Sequence, residues 1–333
     1  MKKKIGIIAF SLVMMLVFAL STSVMAAEKG KVYWPEKWWP SKWGADDNKG
    51  SFNTITPAKV KAASKLVKTG KVYLLGRPYS ADIPLPWGRS FNITIPGIPI
   101  GGPFGDNAVV WNDEIIFGEL GQVGTQFDGP GHVGMRGKDG VDRWYNGRAL
   151  GLDPKHARGL KENGIENLGP CVTRGVLIDV AGLKGVKSMA KGEVITVADV
   201  EACIKKAGIA GIKEGDAVIF NTGWGHHWKD AATFNAGEPG IGIEVARYLI
   251  DKNISMVGAD SWAVDAIPGE YENLAFEIHC LMQIVNGIWY IECLNTETME
   301  QMVKDGVYEF MWVYNPVRFM GATGSPGDPL AIR

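Results

Sequence analysis

GVLIDV (175–180), AVIFN (217–221), ISMVG (254–258) and IWYIE (288–292) are four short apolar runs, rich in β-branched and aromatic residues, spaced along the C-terminal half of the chain. Segments with helical spacing lie between them: VADVEACIKKAG (197–208) behind Thr196 as cap, GIEVARYLIDKN (242–253), and AFEIHCLMQIVNG (275–287). Apolar strands that alternate with amphipathic helices bury both faces of a sheet, which calls for at least partly parallel pairing. The expected fold is therefore α/β: a single large domain of mixed sheet with flanking helices.

Upstream, Thr56 and Pro57 open AKVKAASKLVKTG, a cap and a first-turn proline ahead of a helix that Gly70 closes. KVYLLGR (71–77) then reads as a strand. From Tyr79 to Asp113 the chain is rich in Pro and Gly and too long for an ordinary connection, which suggests a functional lid. Residues 31–50 carry Trp34, Trp38, Trp39 and Trp43 without helical or strand periodicity, so they read as an irregular arm that packs on the body or rims a pocket.

At the start, Lys2 to Lys4 precede an apolar run from Ile5 to Leu20, and small residues follow around Ala26 and Ala27. This is the layout of a secretory signal peptide, the run being short of the ~20 residues of a membrane span. The domain expectation is a signal peptide over 1–26, the Trp-rich arm over 27–55 and the main domain over 56–333. The protein is expected to be secreted or periplasmic, with no membrane attachment after cleavage.

The formal charge of −1 comes without a basic patch, which argues against nucleic acid as a partner. Cys171, Cys203, Cys280 and Cys293 are scattered without metal or redox spacing and read as buried thiols.

The segment richest in chemistry is GQVGTQFDGPGH (121–132). If extended, it places Gln122, Gln126 and Asp128 on one face and Val123, Thr125 and Phe127 on the other. Such a polar face is costly to bury unless something satisfies it, and a divalent cation does so with oxygen donors. A solvent-facing strand with a Gly-Pro turn fits the same spacing, with His132 as a core histidine. A second cluster comes from His279, inside the third helical segment, and Glu292, an acid within the apolar strand that follows. A short helix-to-strand connection brings these two toward one point. Taken without the first cluster, Glu292 fits equally well as the partner of an arginine.

These residues resemble the cyclase family of metal-dependent hydrolases, which includes arylformamidase and isatin hydrolase. The family motif H-x-G-T-H-x-D-x-P-x-H is matched by Gly124, Thr125, Asp128, Pro130 and His132, and its later N-G-I-x-x-x-E by Asn286, Gly287, Ile288 and Glu292. GADDNKGSFNTITPAKV (44–60) and NTGW (221–224) extend the likeness over most of the chain. The resemblance implies a swivelling β/β/α fold, Asp128, His279 and Glu292 as metal ligands, His132 as general acid/base, and a homo-oligomer. Gln122 and Gln126 stand where the motif has histidines. They are the candidate additional metal ligands; neutral amide oxygens are weaker donors than imidazole, so zinc affinity should fall and preference should move toward Mn²⁺ or another harder ion.

The expected activity is hydrolysis of a small cyclic or aryl amide or lactone, with one divalent ion, Mn²⁺ or Zn²⁺, and no organic cofactor. Trp87, Phe127, Trp224 and Asp260 are the candidate substrate contacts. Asp265 is a further candidate for orienting the site. Two rival classes remain: a secreted small-molecule binding protein with a degenerate site, and a metal-dependent lyase or isomerase.

Overall fold

The computed structural model describes residues 34–155 and 158–333, so the signal-peptide reading of 1–26 falls outside the described residues. Glu36 to Arg333 form one compact unit. Its frame is a nine-stranded sheet. In chain order the strands are β1 (Val72–Leu74), β2 (Gln126–Asp128), β3 (Cys171–Asp179), β4 (Ala217–Asn221), β5 (Met256–Ala259), β6 (Trp289–Glu292), β7 (Glu309–Tyr314), β8 (Gly324–Pro326) and β9 (Leu330–Ile332). They are arranged β1-β9-β7-β3-β4-β5-β6-β2-β8.

The four apolar runs become β3, β4, β5 and β6, side by side and parallel, as their burial on both faces requires. All other pairings of this sheet are antiparallel. The expected mixed-sheet α/β architecture is what the chain adopts.

The helices that flank the sheet and the site are α1 (Pro57–Ser64), α2 (Val197–Ala207), α3 (Ile243–Asp251), α4 (Glu277–His279), which passes into a π-helical stretch over Cys280–Val285, and α5 (Thr296–Lys304); two further short ones span Val180–Lys184 and Ala231–Phe234. Thr196 caps α2 with a reciprocal bond to Asp199, and Gly208 ends it at φ 66°. Helix α1 is shorter than expected: Thr56 accepts from Lys59 N as foreseen, but the helix stops at Ser64 well before Gly70. The chain turns there so that Thr69 can donate to the carbonyl of Arg333, through both its backbone N at 2.9 Å and its hydroxyl at 2.8 Å.

The two faces of the sheet do different work. Leu177, Ile219, Phe127, Trp289, Ile291, Phe310 and Trp312 gather in the main apolar core. Neighbours one position along β6 and β2, namely Tyr290, Glu292, Gln126 and Asp128, face the other way. The arm closes on the body: Ser51 N donates to Gly287 O at 2.7 Å and Trp289 Nε1 to Lys49 O at 2.8 Å. Both backbones approach closely because Gly287 (φ 60°) and Gly50 (φ 52°) lack side chains; a Cβ on Gly50 would sit 2.4 Å from Gly287 O.

The long Pro/Gly segment, with the residues just after it, forms two antiparallel hairpin ladders, Phe91–Thr94 with Ile115–Gly118 and Gly101–Phe104 with Val109–Trp111. All four cysteines are buried free thiols. Among the described residues no helix is long and apolar enough to cross a membrane.

Candidate metal and active site

The antiparallel register of β2 and β6 builds the base of the site. Asp128 pairs with Tyr290 and Gln126 with Glu292, so these side chains share a face. Gln126 Nε2 donates to Glu292 Oε2 at 2.7 Å. The polar row is not one continuous strand: β2 spans three residues, and Gly124 at φ 65° breaks the extension before it. Gln122 therefore arrives from a turn, buried, with neither amide atom hydrogen-bonded. After Asp128 the turn is closed by His132 N to Gly129 O at 3.1 Å, which returns the His132 imidazole to 3.5 Å from the Asp128 carboxylate.

The second wall comes from α4. His279 Nδ1 lies 2.9 Å from Asp265 Oδ1, and its backbone N donates to the other carboxylate oxygen at 3.3 Å. The ring stacks on Tyr290 with centroids 4.0 Å apart. Its Nε2 faces Glu292 (3.4 Å) and Asp128 (3.8 Å). Ligand atoms of Asp128, His279 and Glu292 all lie within 4.8 Å of one another.

Asp265 is aimed by a tight turn beyond β5, in which Val264 adopts φ 63° and Asp265 N donates to Ala263 O at 2.6 Å. A β-branched residue at positive φ is strained, and such strain needs surrounding structure to hold it. Glu238 provides part of that hold: fully buried, it accepts from Trp262 N at 2.6 Å and Ala263 N at 2.7 Å.

Burial and the nearby Asp128 carboxylate push Glu292 up to about 8. Asp128 stays below its ordinary value: burial opposes this, but the charges of His132 and His279 prevail. His279 is pushed well up, since Asp265 and the two site carboxylates outweigh its burial. His132 is lowered, chiefly by burial.

Asp128, Asp265 and Glu292 are each at most 2 % exposed, three carboxylates around two imidazoles. Asp128 Oδ1 and both amide atoms of Gln122 have no partner. Buried charge of one sign in excess requires compensation. Nδ1 of His279 is committed to a carboxylate, so Nε2 is the atom that would exchange its proton for a metal, the arrangement that orients metal-bound imidazoles. The residues fit a divalent cation.

Above this base is a cleft of about 140 Å³ walled by Trp87, Trp262 and Phe276, with Arg89 and His132 beside it. Of the expected substrate contacts, Trp87 lies at the cleft. Phe127 does not: it is fully buried on the opposite face, against Tyr314 and Phe52. Trp224 is buried behind the wall, donating to Phe234 O at 3.2 Å. Asp260 is fully buried, and accepts from Thr222 N, Thr222 Oγ1, Thr296 Oγ1 and Gly225 N, tying three loops together.

Sequence reading missed Arg89, Trp262, Phe276 and Glu238. Trp262 and Phe276 carried a signal, since one follows a strand end and the other lies three residues before His279. Glu238 had none, because its partners are backbone amides far along the chain.

A family model described as "Putative cyclase" matches residues 75–266, more than half of the chain, and takes in Asp128, His132 and Asp265. The chain belongs to this cyclase family. Among solved structures, one described as a novel cyclase is 29 % identical with a TM-score of 0.76, over 88 % of this chain and 96 % of that one. Isatin hydrolase A from Ralstonia solanacearum is 24 % identical with a TM-score of 0.56, over 79 % of this chain and 92 % of that one. An isatin hydrolase bound to the product analogue thioisatinate is 20 % identical with a TM-score of 0.51, over 84 % and 97 %. These last two share the fold. No curated protein sequence matches the chain.

Proposed function

We propose that this protein is a metal-dependent hydrolase that cleaves a small cyclic or aryl amide or lactone. The observation that carries the reading is the convergence of Asp128, His279 and Glu292 within 4.8 Å of one another beneath an aromatic-walled cleft. Isatin hydrolases sharing the fold and the family membership support it.

Asp128, His279 and Glu292 would hold a divalent ion, which would supply Lewis acidity toward water and a carbonyl. The chain's own groups do the rest. Asp265 holds the His279 ring so that Nε2 faces the site. Gln126 fixes the Glu292 carboxylate, and Gln122 adds a neutral amide beside Asp128. Burial keeps His132 uncharged near neutral pH, so a ring nitrogen is free to take a proton from water and return it to the leaving nitrogen or oxygen. Trp87, Trp262 and Phe276 exclude water and hold a flat ring. An oxygen-rich donor set moves the preference away from Zn²⁺ and toward Mn²⁺ or another harder ion.

The test is His132→Ala with small cyclic and aryl amides and lactones read by mass spectrometry. Substrates gaining the mass of water, with turnover lost by about 10²–10⁴-fold in the variant while fold and metal stay, is the expected result. Retained ligand with no mass change would identify a binding protein; unchanged mass with altered retention would identify an isomerase.

Secretion or periplasmic location belongs to the same proposal, supported by the N-terminal pattern and checked by cell fractionation. A homo-oligomer is proposed as well. It is supported by the exposed apolar hairpins, where Ile98 is 82 % and Phe104 62 % exposed, and is checked by light scattering.

A further inference from the structure

The cleft contains a cation that the metal chemistry leaves unused. Arg89 follows a tight turn closed by its own N to Pro86 O at 3.1 Å, with Trp87 and Gly88 both at positive φ. The turn sets the guanidinium 5.3 Å from the Trp87 ring centroid. One arm, Nη1, donates to Gln122 O at 2.9 Å and anchors the group. Among the described residues Arg89 forms no ion pair with a carboxylate; its charge reaches Glu119, but that carboxylate takes its hydrogen bonds from Ser90, through both backbone N and hydroxyl. A half-buried guanidinium on an aromatic face, held by one donor with others free, is preorganised for a planar anion.

Beside it the ring wall is built edge to face. Trp87 and Trp262 centroids are 5.0 Å apart at 84°, and Phe276 stands 6.4 Å from Trp87 and 6.3 Å from Trp262. Rings at right angles leave flat faces for a further ring. Next to this wall, acyl hydrolysis of an aryl amide or lactone adds water across the acyl bond and forms a carboxylate, the only anionic product group, together with the freed amine or hydroxyl.

We propose that Arg89, with Trp87, Trp262 and Phe276, forms a subsite for a flat aryl carboxylate, the guanidinium receiving the acid that hydrolysis produces. The subsite makes Arg89 the residue that separates ligands with an anionic carboxylate from neutral isosteres. This rests on the hydrolase reading for its source of carboxylate, but not for the binding itself.

Calorimetric titration of the metal-containing protein with 2-aminobenzoate and with neutral 2-aminobenzamide tests it. The expected result is a preference for the acid that falls roughly tenfold or more in Arg89→Met, with the amide's affinity little changed. Arg89→Lys should recover part of the preference, since it restores charge without the fork. Equal losses for both probes, no loss for either, or failure of wild type to bind the acid at millimolar concentration would overturn the proposal. If the preference depends on Arg89 while no substrate is hydrolysed, the subsite stands and the hydrolase reading falls. If hydrolysis is found and Arg89→Met leaves the preference intact, only the subsite falls.

Discussion

Asp265 and His279 are joined twice, by the imidazole Nδ1 at 2.9 Å and by the backbone N at 3.3 Å, so one carboxylate sets both the ring's orientation and its tautomer. Fourteen positions separate them in sequence, and the strained turn at Val264 makes the meeting possible. Removing the carboxylate charge should loosen the ring. Asp265→Asn is expected to lower divalent-metal affinity by about 10–100-fold, measured by competition with a chromogenic chelator, with the circular dichroism spectrum unchanged.

Metal affinity should also depend on pH in a defined direction. Glu292 has its folded value raised from 4.5 to about 8, so the protonated form is favoured in the metal-free fold. Its contribution to the metal-free fold is present below 4.5 and is lost as pH rises through about 8. Metal binding needs the carboxylate ionised, so affinity should climb over the same window and binding should release protons. Titrations in buffers of different ionisation enthalpy measure that release; affinity that is flat from pH 5 to about 8 contradicts it.

Binding to the folded state alone also stabilises it. Saturation at about a hundred times the dissociation constant is worth about 2.7 kcal/mol, so chelation should lower Tm by several degrees, and Mn²⁺ should restore it.

The site and the core respond differently to truncation. Phe127→Ala removes a fully buried ring and should cost about 3–5 kcal/mol by denaturant unfolding. Trp87→Ala removes a side chain that is 65 % exposed, so its stability effect should be small while ligand affinity falls.

Much of this was legible in the residues. The apolar runs named the parallel strands because burial on both faces leaves no polar alternation, and Thr196 and Gly208 marked both ends of α2. The pairing of His279 with Glu292 followed from their short connection. What local pattern could not show was reach across the chain. Phe127 shares β2 with two site residues, yet strand alternation turns it into the core, which the expected substrate role overlooked. Gln122 is brought close by a turn at Gly124, and not by the extended row its spacing suggested. Asp260 looks like a ligand-binding acid at a strand end, but its oxygens are taken by Thr222, Gly225 and Thr296. The C-terminal strands β7, β8 and β9 lie beyond the alternation that revealed the sheet, and they join it by antiparallel pairing at both sides.

The central claim is that Asp128, His279 and Glu292 hold one divalent ion. Elemental analysis of protein purified without chelator, beside Asp128→Ala and His279→Ala variants checked for native circular dichroism, tests it most directly. Close to one equivalent of divalent metal is expected in the native chain and almost none in either variant. A metal-free native protein that takes up none when Mn²⁺ or Zn²⁺ is supplied, or variants that retain a full equivalent, would contradict it.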